Sequence, residues 1–502
     1  MHRIQADLIP RIAEKWGQKN TYYQAPFQGR EHKWVETQQN LFYRHNPVRA
    51  CNNPQKTTPY NTRLYFNQRN LSGFGGMFLP IAFMERLGLD RSLDSVLLHN
   101  GYQYSASDLL TSTLACIFAG APRLYDINTY RSDPGLCRAL GLKSLPEEGN
   151  VRKRLDVAGA ENVEALRYVQ LQGLAKCNRT EEEVEIGLDF DLTTAVVYGK
   201  QEESARGYNP QKKGRPCYQI AMVFIANNGD LVRSELRPGN THSITCFEAF
   251  FKNTVSSLPS NYKLRFVRVD KGFFDQKIFS YLEEQGIKYV CSAKTSSDLL
   301  ALARSLKEYE ELEHSERQFF ITELDYQYGN WDCYRRLVIV KERVANPDYD
   351  LDNRDLWGQP MEPEFHDTYR FYVTNIGYDE LDAQSVWRFY NERATVENRI
   401  KESKLGFYLD KLPNQHFWGN AFYVQLVSLA YNILNWFKRF VLPAEFRSKS
   451  MRWLRMNLLL LPALIVRKKL QWFIKYPNHC PYQELLWGIH KRLAEGKPYY
   501  TL

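Results

Sequence analysis

The 502 residues contain no C-x-x-C pair; nine cysteines (Cys51, Cys116, Cys137, Cys177, Cys217, Cys246, Cys291, Cys333 and Cys480) stand singly and are odd in number. That argues against a disulfide framework or a structural zinc site and predicts a reducing compartment. There is no internal repeat and no long apolar run. The longest uncharged run, Ala421–Phe437, holds Gln425, Asn432 and Asn435. It is too short and too polar to span a bilayer, and reads as a buried helix. Met1–Asn20 carries charges throughout, without an apolar stretch before a small-residue cleavage site, so no secretory leader is expected. The chain therefore reads as neither a membrane protein nor a secreted, disulfide-stapled domain.

Acidic residues are scarce at both ends. Residues 1–70 sum to +7 and residues 431–502 to +10, against +9 for the whole chain, so the 360 residues between them sum to −8. Basic ends with interleaved aromatics (Trp34, Tyr43, Tyr60, Tyr65; Trp436, Phe440, Trp453, Trp472) suit a polyanion, because each cation set against a phosphate releases counterions. A solvated basic surface is the bland alternative. An acidic middle opposes DNA unless metal ions neutralise it. A hydrophobic share of 44% with 25% charged residues supports a sizeable core, spread at this length over three or four units.

Residues 1–72, rich in Asn, Gln, Arg and Tyr, read as a basic N-terminal arm. Within 73–180, Leu79–Leu87, Ala106–Phe118 and Val163–Leu174 show helical spacing, and Ser105 or Ser107 is a candidate cap. From 181 to 299 the pattern turns to strands: Val184–Phe190 running on into Thr193–Tyr198, then Cys217–Ala226 and Leu231–Leu236 about an Asn227-Asn228-Gly229-Asp230 turn. A helix (His242–Ser257), a strand (Leu264–Val269), a helix (Phe274–Gln285) and a strand (Lys288–Ser292) follow. Residues 300–367 break this rhythm with antiparallel strands, Phe319–Tyr328 and Cys333–Val340, and a polar stretch, and so resemble an insertion. Residues 368–440 resume with a strand, one long helix over Gln384–Leu405 and another over Phe417–Phe440. The basic region 441–502 carries two amphipathic stretches, Met451–Leu460 and Tyr482–Leu493. A meander followed by alternating helices and strands implies an α/β fold, a mixed sheet flanked by helices.

Three acids stand where such a sheet can gather them: Asp191 at the join of the first two strand segments, Asp270 ending the strand Leu264–Val269, and Glu397 on the long helix. Three hard oxygen donors suit Mg²⁺ or Mn²⁺ better than zinc, and two such ions stabilise both the attacking and the leaving oxygen of a phosphoryl displacement. Asp189 and Asp191 share a strand face, so composition alone does not choose between them. On an uninterrupted helix Tyr390, Arg393, Glu397 and Lys404 fall on one stripe, where Arg393 and Lys404 can grip phosphates beside a metal-holding Glu397. A solvated face with an Arg393–Glu397 i,i+4 ion pair is the alternative.

Tyr390-x-x-Arg393-x-x-x-Glu397-x-x-x-x-x-x-Lys404 resembles the Tyr-Arg-Glu-Lys signature of DDE insertion-sequence transposases. Asp191-Leu192-Thr193 resembles that group's first-Asp motif and Val269-Asp270-Lys271-Gly272-Phe273 its second. Gly207–Pro216 and Leu236–His242 are similar to two loops carried by one branch of the group. The resemblance covers residues 73–440 and favours Asp191 over Asp189; Leu192 stands where a small residue is more usual. It implies a ribonuclease-H-like core (181–299 and 368–440), a β-rich insertion (300–367), a helical DNA-binding domain (73–180) and a basic helical C-terminal region (441–502). It further implies Asp191, Asp270 and Glu397 as catalytic ligands of two Mg²⁺ or Mn²⁺ ions, and Tyr390, Arg393, Lys404, Lys212, Lys213 and Arg215 as DNA contacts. The last three occupy a Gly/Pro loop that can equally be an exposed hairpin tip. Trp331 or Trp357 is a candidate to stack on an extruded base. The implied activity is cut-and-paste transposition by a homodimer acting on double-stranded terminal repeats and target DNA, in the cytoplasm at the nucleoid. The alternative is a catalytically inactive, domesticated DNA-binding relative.

Overall fold

The computed structural model describes residues 67–97, 103–180, 182–209, 212–242, 244, 247–312, 317–329, 331–346 and 364–495, with isolated positions at 57 and 62. Residues 71–502 form one compact unit. Most of the expected arm, most of the polar stretch before 364 and Trp357 lie outside the described residues.

After a short strand β1 (Leu71–Ser72), three apolar-periodic segments become helices α1 (Phe78–Arg86), α2 (Ala106–Ala119) and α3 (Ala160–Cys177). Ser105, not Ser107, caps α2: its hydroxyl accepts from the Asp108 amide while the Asp108 carboxylate accepts from the Ser105 amide, a reciprocal capping box.

The two expected strand segments on either side of Asp191 are one 13-residue strand, β2 (Val184–Val196). It is buried along most of its length because it lies inside the sheet. β3 (Ala205–Arg206), β4 (Pro216–Ile225), β5 (Leu231–Pro238), β6 (Tyr262–Val269) and β7 (Lys288–Ser292) follow. In space the first part of the sheet runs β5-β4-β2-β6-β7, with β3 also paired to β4; β2 is antiparallel to β4, β4 antiparallel to β5, and β6 and β7 run parallel to β2. The strands of the expected insertion, β8 (Glu310–Leu312), β9 (Gln318–Tyr326) and β10 (Arg335–Ala345), do not form a separate body. They continue this sheet through β11 (Phe365–Thr374), which pairs with both β7 and β10, giving ten strands.

Side chains alternate across β2. Phe190 points to one face, where α4 (Phe247–Val255) supplies Phe247, Phe250 and Phe251 with ring centroids 5.5–6.0 Å away. Asp189 and Asp191 point to the other. α5 (Gln276–Glu284) packs beside β7, and its Phe279 stacks on Tyr289 at 4.8 Å.

The expected single helix over 384–405 is two, α6 (Ala383–Asn391) and α7 (Ala394–Phe407). At the junction the amides of Arg393, Thr395 and Val396 bond carbonyls three residues back rather than four, a tightened turn that redirects the axis. α8 (Phe417–Val441) is the expected buried helix, and its polar residues have a purpose. β5 is an edge strand, and an open edge leaves backbone groups needing partners. Asn432 accepts from the Leu231 amide (2.8 Å) and donates to its carbonyl (2.7 Å), Gln425 donates to Gln170, and Ser428 bonds Ser234 (2.8 Å).

The basic C-terminal region is not wholly helical. Between Met451–Leu459 and α9 (Gln483–Ala494), β12 (Ala463–Lys468) and β13 (Gln471–Lys475) form a hairpin paired to β1. Among the described residues no helix is long and apolar enough to cross a membrane.

Candidate active site

Two arginines dock the α6–α7 junction onto β2. Asp189 is fully buried and accepts from Arg268 through both oxygens, at 2.7 and 3.0 Å. Arg268 also donates to the Phe389 carbonyl (2.8 Å) at the end of α6 and contacts Glu392 at 3.2 Å. One turn on, buried Arg393 donates through one Nη to the Phe190 carbonyl (2.9 Å) and to Asp191 Oδ2 (2.8 Å), while its Nε has no partner. The intrahelical Arg393–Glu397 pair is therefore not what forms. The same-face ambiguity of the two aspartates acquires a physical distinction: Asp189 is fully buried and consumed by a bidentate ion pair, whereas Asp191 is 9% exposed and held by a single nitrogen of Arg393.

Asp270 ends β6, and its Oδ1 caps a 3₁₀ turn, Lys271–Phe273, by accepting from the Gly272 amide (2.9 Å). Because Phe190 and Val269 are register partners, Asp191 and Asp270 leave adjacent parallel strands side by side. They interact. Burial and, in smaller part, the Asp270 charge push the Asp191 carboxyl up to about 6, although Arg393 pulls it down; burial wins over the ion pair. Tyr390 packs against Tyr372 with the rings tilted (4.8 Å between centroids), and burial raises its phenol, with the Asp270 charge contributing. Lys404 donates to the Thr194 carbonyl (2.9 Å), also on β2; burial lowers its ammonium, opposed by Asp410 and Asp191. Asp191, Asp270, Tyr390, Arg393 and Lys404 thus form one electrostatic cluster on a single face of the sheet.

Glu397 does not join it. It lies in the first turn of α7 with an exposed side chain, and no hydrogen bond or ion pair holds it among the described residues. Seven residues separate it from Lys404, which on a helix is about 20° of rotation and about 10 Å of rise, so it stands on the stripe that faces β2. Among the described residues no three His, Cys, Asp or Glu side chains gather closely enough to hold a metal ion. The donor chemistry of Asp191 and Asp270 nevertheless fits a hard dication: two carboxylates on adjacent strands repel each other, and bound positive charge relieves that repulsion.

Lys212, Lys213 and Arg215 are exposed at a turn ahead of β4, with the Arg215 guanidinium 5.1 Å over the Tyr198 ring. Lys212 lines a cleft of about 390 Å³ together with Arg123, Arg152, Tyr125, Tyr198 and Lys411. Trp331 is core, packed against Phe274, Phe279 and Tyr328, and is not available to a base. Residue spacing did not reveal Arg268, Arg399 (whose guanidinium donates to the Ile225 and Ala226 carbonyls) or buried Cys291 behind Asp270. The one usable signal was that Asp189 and Arg268 lie in adjoining strands, which requires knowing the register.

No curated protein matches this chain. Among solved structures, a piggyBac transposase synaptic complex with hairpin DNA superposes with a TM-score of 0.41 and 10% identity, covering 77% of this chain and 79% of that one. The family model described as transposase DDE domain group 1 matches residues 56–498, a span that includes every strand and helix above, and the chain belongs to that family.

Proposed function

We propose that the chain is the transposase of a mobile element, binding the element's ends as double-stranded DNA, cutting there, and joining the freed ends to target DNA. The observation that carries this reading is the coupled pair Asp191 and Asp270 on adjacent parallel strands, backed by Arg393 from a Tyr-Arg-Glu-Lys helix pair. The strand order β5-β4-β2-β6-β7, with the first three antiparallel and the last two parallel to β2, supports a ribonuclease-H-like core.

Asp191 and Asp270, joined by Glu397, would hold two Mg²⁺ or Mn²⁺ ions. Such ions, when bound, supply charge neutralisation and an activated oxygen nucleophile. The rest is the work of the chain. Arg393 holds the Asp191 carboxylate in place and offsets part of its repulsion from Asp270. Tyr390 and Lys404, coupled to the same two acids, grip terminal phosphates. Lys212, Lys213 and Arg215 clamp the DNA backbone as point charges on an exposed turn. Phosphoryl transfer needs positioning and charge compensation more than a protein nucleophile, which accounts for a site without Ser, Cys or His at its centre. Handling two ends together calls for two copies of the chain.

The test uses duplexes carrying the DNA that flanks the coding sequence, incubated with Mg²⁺. Cleavage at the element's boundary and a strand-joined product are expected. Random nicking without joining would identify a general nuclease, and binding with neither product an inactive DNA-binding relative; either result overturns the proposal.

A further inference from the structure

The β12–β13 hairpin belongs to no part of the site described above, and its composition is one-sided. Residues 463–475, Ala-Leu-Ile-Val-Arg-Lys-Lys-Leu-Gln-Trp-Phe-Ile-Lys, carry four cations and no carboxylate. Arg467, Lys468, Lys469 and Lys475 are all exposed, and none makes an ion pair among the described residues. The base of the ribbon is fixed: Ile465 is buried and faces Ile474, and Ser72 and Leu71 pair with Ala463 and Leu464. Beyond that anchor the side chains open to solvent. Leu470 is 87% exposed, Trp472 48% and Phe473 38%. Trp472, paired across the ribbon with Arg467, lies 5.6 Å from that guanidinium and 5.0 Å from Arg138 on the helix Pro134–Ala139.

The turn adds a second, independent observation. Lys468 pairs with Gln471, leaving a two-residue connection, Lys469-Leu470. Lys469 takes a φ of 54°, the left-handed region that such turns normally fill with Gly, Asn or Asp. The turn requires the positive φ, but Gly, Asn or Asp would meet it with less strain, so the choice of lysine there points to use of its charge. Here it sets a cation at the very tip, beside an almost fully exposed leucine.

We infer that this ribbon is a double-stranded-DNA-binding element that enters a groove, with Arg467, Lys468, Lys469 and Lys475 on the phosphates and Leu470 and Trp472 toward the base edges. A two-stranded antiparallel ribbon fits the major groove, which is about 12 Å wide. The absence of any carboxylate favours a polyanion over a second protein surface, which would need acids or a continuous apolar face to match. The inference rests on the proposed function for its ligand but adds a site remote in sequence from the acidic cluster.

The experiment measures binding of the full-length chain to a fluorescein-labelled random-sequence duplex by anisotropy across a salt series. Arg467→Ala/Lys468→Ala/Lys469→Ala should weaken binding and make the log–log salt slope shallower by up to about 2.7, roughly 0.9 for each cation withdrawn from a phosphate. Lys468→Arg/Lys469→Arg should keep the wild-type slope. Lys469→Gly should lower the slope by about 0.9 while leaving the urea midpoint unchanged or higher, which a purely structural role would not produce. A triple variant with the wild-type slope would overturn the inference while leaving the transposase reading standing. So would a triple variant that loses self-association in sedimentation but keeps its DNA slope, since the ribbon would then be an interface between copies. Wild-type protein that fails to bind the duplex would overturn both.

Discussion

Replacing Arg393 with Gln tests how the acidic pocket is held together. The guanidinium is buried and bonds Asp191 and the Phe190 carbonyl through one nitrogen. Asp191 sits near 6 rather than 3.8 because burial outweighs this ion pair, so holding it ionised at neutral pH already opposes folding by about 3 kcal/mol. A carboxyl whose folded value is raised favours folding below its ordinary value, and the advantage is lost as pH rises through about 4 to 6. Removing Arg393 removes an influence that lowers Asp191, so the loss extends to higher pH. At pH 8 the variant breaks a buried pair and leaves an uncompensated carboxylate, a cost of about 3–5 kcal/mol. At pH 5 Asp191 is mostly protonated in both proteins, and the cost falls toward that of a neutral hydrogen bond, about 1 kcal/mol. Urea midpoints for wild type and Arg393→Gln at the two pH values measure the difference. An equal destabilisation at pH 5 and pH 8, or a larger one at pH 5, would show that Arg393 does not act through the Asp191 charge.

Three further outcomes follow from the same geometry. Asp189→Asn should destabilise by about 3–5 kcal/mol, since buried Arg268 would lose its bidentate partner and keep only the exposed Glu392 as an acidic one, and the loss should appear in urea melts whether or not DNA is present. Gly187→Ala would drive a Cβ into the Phe266 ring, itself packed on Phe389 at 4.5 Å; about 1–3 kcal/mol of destabilisation is expected, and an unchanged midpoint would show that the ring moves freely. Lys212→Ala/Lys213→Ala/Arg215→Ala should make the salt slope of end binding shallower without shifting the urea midpoint, because all three are exposed; an unshifted slope would remove them from the residues that touch DNA.

Much of the core was legible in the chain because its signals are local. The Asn227-Asn228-Gly229-Asp230 turn and the strand Lys288–Ser292 were marked by residues with strong local preferences, and the cap of α2 was narrowed to Ser105 or Ser107, of which the structure selects Ser105. What escaped was set by distant partners. The helix over 384–405 keeps its apolar period across residues 392–393, and its break becomes visible only once Arg268 and Arg393 are seen anchoring that junction to β2. The insertion's strands were recognisable as antiparallel, yet their fusion to the main sheet depends on β11 pairing with β7, across a separation of about 80 residues in sequence. The C-terminal hairpin was hidden because its turn, Lys469-Leu470, uses none of the usual turn residues. Within the site, the side-by-side placement of Asp191 and Asp270 follows from strand register, whereas the exposure of Glu397 in the first turn of α7 is a matter of tertiary packing that residue spacing does not encode.

That exposed acid makes the decisive measurement plain: the rate at which wild type, Asp191→Asn, Asp270→Asn and Glu397→Gln cleave a labelled end duplex with Mg²⁺. Each variant should lose more than about a hundredfold in rate while retaining end binding, since removing even an outer partner of a metal site costs about 10–100-fold and a direct ligand more. Wild-type cleavage by Glu397→Gln would strike that residue from the site, and wild-type cleavage by either aspartate variant would contradict the assignment of the pocket itself.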